Sequence, residues 1–151
     1  MTVAAVLREK GAAVIAVGPD ARVAEVAEII TKRRIGAVVV EDGAGELVGI
    51  VSERDVVRGL TQFGAALMDM PVSGLMTQAV KTVTPQTSVE EATEIMDEGY
   101  FRHLPVRGAD GRLCGIVSIR DLVRHRIHAQ QSDVESLQAY VIGRGYALGR
   151  V

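Results

Sequence analysis

The chain has 151 residues, 48% hydrophobic and 24% charged, the balance of an ordinary soluble globular protein able to bury roughly 68–70% of its unfolded surface. A net charge of −2 gives no general pull toward nucleic acid or anionic membrane, and no apolar run approaches the roughly 18 residues of a membrane span. One cysteine, Cys114, leaves no disulfide framework and no cysteine-based metal site, and fits a reducing cytoplasm.

Charges at Arg8, Glu9 and Lys10 come too early for a secretory signal. Residues 2–10 read instead as a short helix, with Thr2 as N-cap, Val3, Val6 and Leu7 on one face and Gly11 at its end. Ala12 to Val17 reads as a strand, Pro19-Asp20 as a turn, and Arg22 to Arg33 as a helix with Val23, Val26, Ala27 and Ile30 at helical spacing. After Gly36, the apolar run Ala37–Val40 is a strand buried on both faces. Glu41 to Gly45 is a hairpin loop, Leu47–Val51 the returning strand, and a helix follows Ser52 to about Leu60.

Thr61 to Pro71 reads as a connector and Ser73–Met76 as one helical turn. The order then recurs. Val80–Val83 is a strand, Pro85-Gln86-Thr87 a turn, and Ser88 with Glu91 a capping box for a helix over 89–98. His103–Val106 and Leu113–Val117 are strands around a loop at Gly108–Gly111, and a helix starts at Ser118. A second capping box, Ser132 with Glu135, predicts a separate amphipathic helix carrying Val134, Leu137 and Val141, and Gly143 onward reads as a tail.

The recurrence is a duplication. Gly49-Ile50-Val51-Ser52-Glu53-Arg54-Asp55-Val56-Val57-Arg58 returns 66 positions later as Gly115 to Arg124, differing only at Glu53/Ile119 and Val56/Leu122. At the same offset Pro19 falls on Pro85, Val23 on Val89, Glu25 on Glu91, Val40 on Val106, Gly45 on Gly111 and Leu47 on Leu113. Each copy is β-α-β-β-α. The implied boundaries are 8–66 and 74–131 for the repeats, 132–143 for the last helix and 144–151 for the tail.

The plainest meaning of Ser-x-x-Asp is a helix start. Its repetition after matching strands, with an arginine inside, adds a second. Ser52 and Ser118 can donate to a phosphate oxygen at a helix N-terminus, where the macrodipole also favours an anion. Asp55 and Asp121 are ionised acceptors suited to the two vicinal hydroxyls of a ribose. Arg54 and Arg120 are cations in the first turn, opposed by the helix dipole unless a phosphate is near.

These residues resemble a known family, the paired CBS domain or Bateman module, over about residues 3–130. Both Gly49–Asp55 and Gly115–Asp121 match its Gly-Ile-Val-Ser/Thr-x-x-Asp junction, and Arg102-His103-Leu104-Pro105-Val106 is similar to its second-strand signature. The most similar members are small stand-alone bacterial pairs. The resemblance implies an α/β fold of α+β type, with two β-α-β-β-α repeats packed about a pseudo-twofold axis, plus short N-terminal and C-terminal helices. It implies clefts between the repeats that take adenine nucleotides such as AMP, ADP, ATP or NAD(H), or S-adenosylmethionine, and modules that pair into a homodimer.

The resemblance also sets Arg102 and His103 against phosphates, a planar fork and a pH-sensitive donor. Pro105 would stiffen the pocket wall beside Leu104. Strand entries at Ala12–Val14 and Ala79–Lys81 would flank the base, with Lys81 and Thr82 as candidates and Lys10 a weaker one. With aromatics at 3% and no tryptophan, the base is expected between aliphatic side chains and backbone, not stacked rings. The first copy has Gly36 and Ala37 where the second has Arg102 and His103. The two sites are therefore unequal, with phosphate contacts concentrated near the second copy.

His125 and His128 lie at i, i+3 but have no third ligand nearby in sequence, so they read as a surface pair. No nucleophile elbow, phosphate-cradling Walker loop or His-Glu-x-x-His appears. The sequence therefore points to a regulatory adenine-nucleotide-binding module that signals to a protein partner or to its own dimer, and away from an enzyme. The alternative is a ligand-free dimerisation module with degenerate sites.

Overall fold

The computed structural model describes residues 1–148. The chain runs α1 (Val3–Lys10), β1 (Ala16–Val17), α2 (Val23–Arg33), β2 (Ala37–Glu41), β3 (Leu47–Ser52) and α3 (Glu53–Phe63). Two 3-10 turns, Gly64–Asp69 and Val72–Gly74, lead to α4 (Val89–Gly99), β4 (His103–Arg107), β5 (Leu113–Ser118) and α5 (Ile119–Leu148). Sheet order is β1-β2-β3 in the first repeat, with β1 parallel and β3 antiparallel to β2, and an antiparallel β4-β5 pair in the second.

The duplication persists to fine detail. Each hairpin carries a register shift at the same place, Val40/Glu41 and Val106/Arg107. Each hairpin turn holds a glycine at φ +79°, Gly45 and Gly111, a backbone conformation that would strain other residues. Helices α2 and α4 both end on a left-handed residue that is not glycine, Arg34 (φ 52°) and Tyr100 (φ 56°).

Each repeat is completed by the other's lead-in segment. Val3, Val6 and Leu7 of α1 sink into the second repeat's core with Val89, Met96, Leu104, Val117 and Leu122. Reciprocally, Val72, Leu75 and Met76 pack on the first repeat's core of Val26, Ile30, Val38, Val40 and Val51. Backbone bridges repeat the exchange: Thr2 pairs with Ser88, and Pro71 with Arg22. Full burial of one such valine stabilises by roughly 1.5–3 kcal/mol, so the exchange ties the repeats together and fixes what faces the space between them.

Several expected elements differ. The strand over Ala12–Val17 shortens to Ala16–Val17, and Val80–Val83 is not a strand: only Val83 bridges, in parallel, to Val106. Both segments cross between repeats before reaching a sheet edge. Thr77 pairs with Ile50 of the first repeat, which draws the backbone after it away from β4. Helix α3 runs on to Phe63 and into a 3-10 turn where a connector was expected. Ser88 caps α4 through its hydroxyl, which accepts from the Glu91 N–H at 3.0 Å.

The largest difference is at the C-terminal end. There is no separate helix over 132–143: α5 is one helix of 30 residues, and Ser132 lies inside it. A capping signal is local, and no glycine or proline between Ile119 and Ile142 breaks the hydrogen-bond ladder. Arg144 to Leu148 also belong to α5; the rest of the expected tail, 149–151, lies outside the described residues.

Candidate functional site

The exchange leaves a cavity of about 320 Å³ between the repeats. The first repeat contributes Gly36, Ile50 and the junction Ser52–Asp55 with Arg58; the second contributes Thr77, Ala79–Lys81 and Gly99–His103. Backbone bonds hold the walls. Ile50 N–H donates to the Thr77 carbonyl at 3.1 Å and Thr77 N–H to that of Ile50 at 2.9 Å, while Glu53 N–H donates to the Gly36 carbonyl at 3.0 Å. The Arg54 guanidinium crosses the gap and donates to the Tyr100 carbonyl at 3.2 Å.

Ser52 and Asp55 form a complete capping box. Ser52 Oγ accepts from the Asp55 N–H at 3.3 Å, and Asp55 Oδ2 accepts from the Ser52 N–H at 2.8 Å and hydroxyl at 3.1 Å. The other oxygen, Oδ1, has only the Arg58 guanidinium at 3.7 Å. The helix start thus fixes a carboxylate and leaves one of its oxygens available. Around it stand Arg54, Arg58, Lys81 and Arg102 against the carboxylates of Glu53 and Asp55, four cations to two anions. Such a wall attracts an anion, and the N-terminus of α3 adds its dipole.

His103 forms part of the floor. A Cβ on Gly36 would lie 2.6 Å from His103 Nε2, so the missing side chain in the first copy is the space the second copy's imidazole fills. Burial pushes the His103 pKa below its ordinary value. The Asp121 carboxylate pulls it back up, Lys10 presses it down, Glu53 raises it and Arg102 lowers it.

The second junction is built alike but differently occupied. Asp121 Oδ2 accepts from the Ser118 N–H at 2.8 Å, and Ser118 Oγ accepts from the Asp121 N–H at 3.1 Å. Here the Lys10 ammonium of α1 donates to Asp121 Oδ2 at 2.8 Å and to the Ile116 carbonyl at 2.6 Å. Burial works to raise the Asp121 carboxyl, but Lys10 and the Ser118 hydrogen bonds outweigh it and hold it below the ordinary aspartate value. Next to Lys10, Glu9 meets His125 Nδ1 at 2.5 Å and also His128 Nδ1. The two histidines are therefore partners of α1, and their hydrogen bonds lower the Glu9 carboxyl.

Of the residues singled out from the sequence, Ser52, Arg54, Asp55, Gly36, Lys81, Arg102 and His103 share the one cavity. Ser118, Arg120 and Asp121 lie outside it. Arg120 instead edges an open hollow on α5 with Val123 and Ile127. Leu104 and Ala37 are buried in their sheets, Pro105 is enclosed in β4, and Thr82 and Val14 are half-buried off the cavity wall. The expected concentration of groups near the second copy is corrected in one respect. Two of the four cations, Lys81 and Arg102, come from there, but they meet Arg54, Arg58 and the hydroxyl and carboxylate of the first copy. The expectation of a pocket without aromatic rings is also corrected, because Tyr100 and Phe101 line it. They sit directly before Arg102-His103, and that adjacency was the signal available in the sequence.

The CBS domain model matches residues 7–62 and 72–128. The chain belongs to the CBS-domain family. Among curated proteins this CBS pair is 42% identical, over 74% of its length, to an uncharacterized 17.7 kDa protein of Acidianus ambivalens, and it spans 66% of that relative. Among solved structures it resembles a CBS-domain containing protein of Agrobacterium tumefaciens (41% identity, TM-score 0.81, 83% of this chain and 99% of that one). It also resembles a CBS domain protein of Pyrobaculum aerophilum complexed with AMP (28% identity, TM-score 0.72, 80% and 89%). Among the described residues, no helix is long and apolar enough to cross a membrane.

Proposed function

We propose that this CBS pair is a regulatory module that binds one adenine nucleotide per chain in the cavity at Ser52–Asp55. The observation that carries the reading is the cavity's chemistry: a cationic wall of Arg54, Lys81 and Arg102 around a fixed Asp55 whose Oδ1 meets only the Arg58 guanidinium, at 3.7 Å. Asp55 Oδ1 accepts from the ribose hydroxyls. Arg102, Lys81 and the Ser52 hydroxyl hold phosphate. Backbone at Ala79–Lys81 meets the adenine edge, with Tyr100 and Phe101 offering ring faces. At 320 Å³ the cavity is at the small end of ligand pockets. That favours AMP over ADP, ATP and the dinucleotide NAD(H), and the AMP complex of the Pyrobaculum relative supports the same choice.

The module acts by binding, in a reducing cytoplasm where Cys114 stays a free thiol. Nucleotide shifts its conformation only by preferring one state, and the output goes to a protein partner or to a second copy. Exposed Val57 and Leu60 on α3 and Val123 and Ile127 on α5 give each repeat an apolar helical face for such a dimer. A specific observation favours the degenerate-site reading for the second junction alone, since the Lys10 ammonium already pairs with Asp121 Oδ2 and offsets its charge.

Calorimetric titration with AMP, ADP, ATP and NADH tests the proposal. AMP is expected to give saturable heat and to compete out the others. Silence from all four at millimolar concentration refutes it.

A further inference from the structure

Among the described residues, only the start of α5 packs on the body of the protein. Leu122 is buried, His125 and Ala129 are half-buried, and every side chain from Gln130 to Arg144 is exposed. An overhanging helix with a polar surface would need no explanation. This one exposes Val134 (52%), Leu137 (64%) and Val141 (66%), and these continue a stripe that begins on the packed part with Val123 and Ile127.

The stripe is Val123, Ile127, Gln130, Val134, Leu137 and Val141, with successive spacings of four and three residues. That is a heptad seam, with Ile127, Val134 and Val141 at a and Val123, Gln130 and Leu137 at d. Leu122, His125 and Ala129 fall on the opposite side of the helix, at c and f, so the face that meets the body leaves the seam free.

We propose that the occupant of this seam is the α5 of a second copy, in a parallel, in-register two-stranded coiled coil. Three features select that occupant. First, β-branched residues fill every a position and leucine a d position, the combination that favours two parallel strands. Second, Gln130 meets its own counterpart when the strands are parallel and in register, so the two amides pair. An antiparallel arrangement centred on the seam sets Gln130 against Val134 in two layers and leaves both amides unpaired. Third, the flanking g and e positions bring Arg126 opposite Gln131 and Asp133 opposite Gln138 of the second copy, so no like charges meet. The proposal rests on the dimer reading given above and specifies its axis: the two-fold runs along α5.

Cysteine cross-linking in the full chain decides it, with Cys114→Ser as background. Ile127→Cys and Val141→Cys are each expected to form a disulfide dimer with their own kind on mild oxidation, because facing a positions bring Cα atoms within disulfide range. Ser136→Cys, at an outward c position, is expected to stay reduced. Val134→Glu combined with Leu137→Glu is expected to weaken dimerisation at least tenfold by sedimentation, with AMP binding retained. Cross-linking only between mixed Ile127→Cys and Leu137→Cys chains means antiparallel strands and overturns the proposal. A dimer that persists on sizing with no cross-link at Val141→Cys also overturns it, whatever Ile127→Cys does, yet leaves the dimer through the repeat faces standing. A monomer at about 100 micromolar removes both and leaves the nucleotide reading untouched.

Discussion

Lys10 and Asp121 lie 111 positions apart in sequence and 2.8 Å apart in space. They tie α1 to the start of α5 and set an ammonium on the carboxylate of the second junction. The pair is only 27% and 17% exposed, so it is screened less than a surface pair. Lys10→Met is expected to lower stability by about 1 kcal/mol, a fall of roughly 2–4 °C in Tm, while AMP affinity at the first junction holds. Because the folded Asp121 pKa is depressed, its contribution is present above the ordinary value of 3.8 and is lost as pH falls through the folded value. The Tm gap between wild type and Lys10→Met should therefore close in acid below that range.

His103 predicts opposite pH responses with and without ligand. Its folded pKa is depressed, so the neutral imidazole is favoured in the fold and the unfolded chain takes a proton first. Its share of stability is present above about pH 6.5 and is lost as pH falls toward the folded value. Ligand-free wild type should lose more Tm than His103→Gln between pH 7.5 and pH 5.5, two ordinary buffer points either side of about 6.5. AMP affinity should rise over the same interval, since a phosphate favours the charged ring. The charges facing His103 are Lys10, Glu53, Arg102 and Asp121, and parallel slopes for the two proteins would assign the effect to them.

Gly36→Ala should separate the role of space from the role of charge. Its Cβ would reach within 2.6 Å of His103 Nε2, and the imidazole must shift from its place in the cavity floor. The expected outcome is a stability loss of about 1 kcal/mol together with at least a severalfold weaker AMP affinity. Double substitution with His103→Ala should restore the stability and not the affinity.

Arg34 sits at φ 52° on the C-cap of α2, exposed and without a side-chain hydrogen bond among those described. Left-handed backbone costs a non-glycine residue about 1–2 kcal/mol, partly offset by the greater unfolded freedom of glycine. Arg34→Gly is expected to stabilise by about 0.5–1 kcal/mol, read by thermal or urea unfolding, with no change in nucleotide binding.

The duplicated junctions were legible in the sequence because a capping box is a local device: Ser52 with Asp55, and Ser118 with Asp121, need only a strand before and a helix after. The lead-in exchange was not legible. Val3 and Val6 carry the same apolar signal whether they pack on the first repeat or the second. For the same reason Lys10 reads as peripheral in the sequence, although its ammonium pairs with the carboxylate of the second junction. The length of α5 is not legible because Ser132 and Glu135 satisfy a capping pattern, which in a sequence without helix breakers does not stop a helix already running. The place of Tyr100 and Phe101 in the cavity is not legible either, because overall scarcity of aromatics says nothing about where the few are placed.

The inequality of the junctions is the claim from which the rest follows, and calorimetry on two alanine variants addresses it most directly. Wild type is expected to bind one AMP per chain. Asp55→Ala should lose at least tenfold in affinity, and Asp121→Ala should keep both affinity and stoichiometry. Two AMP per chain in wild type, or a loss on Asp121→Ala matching that on Asp55→Ala, would contradict the account.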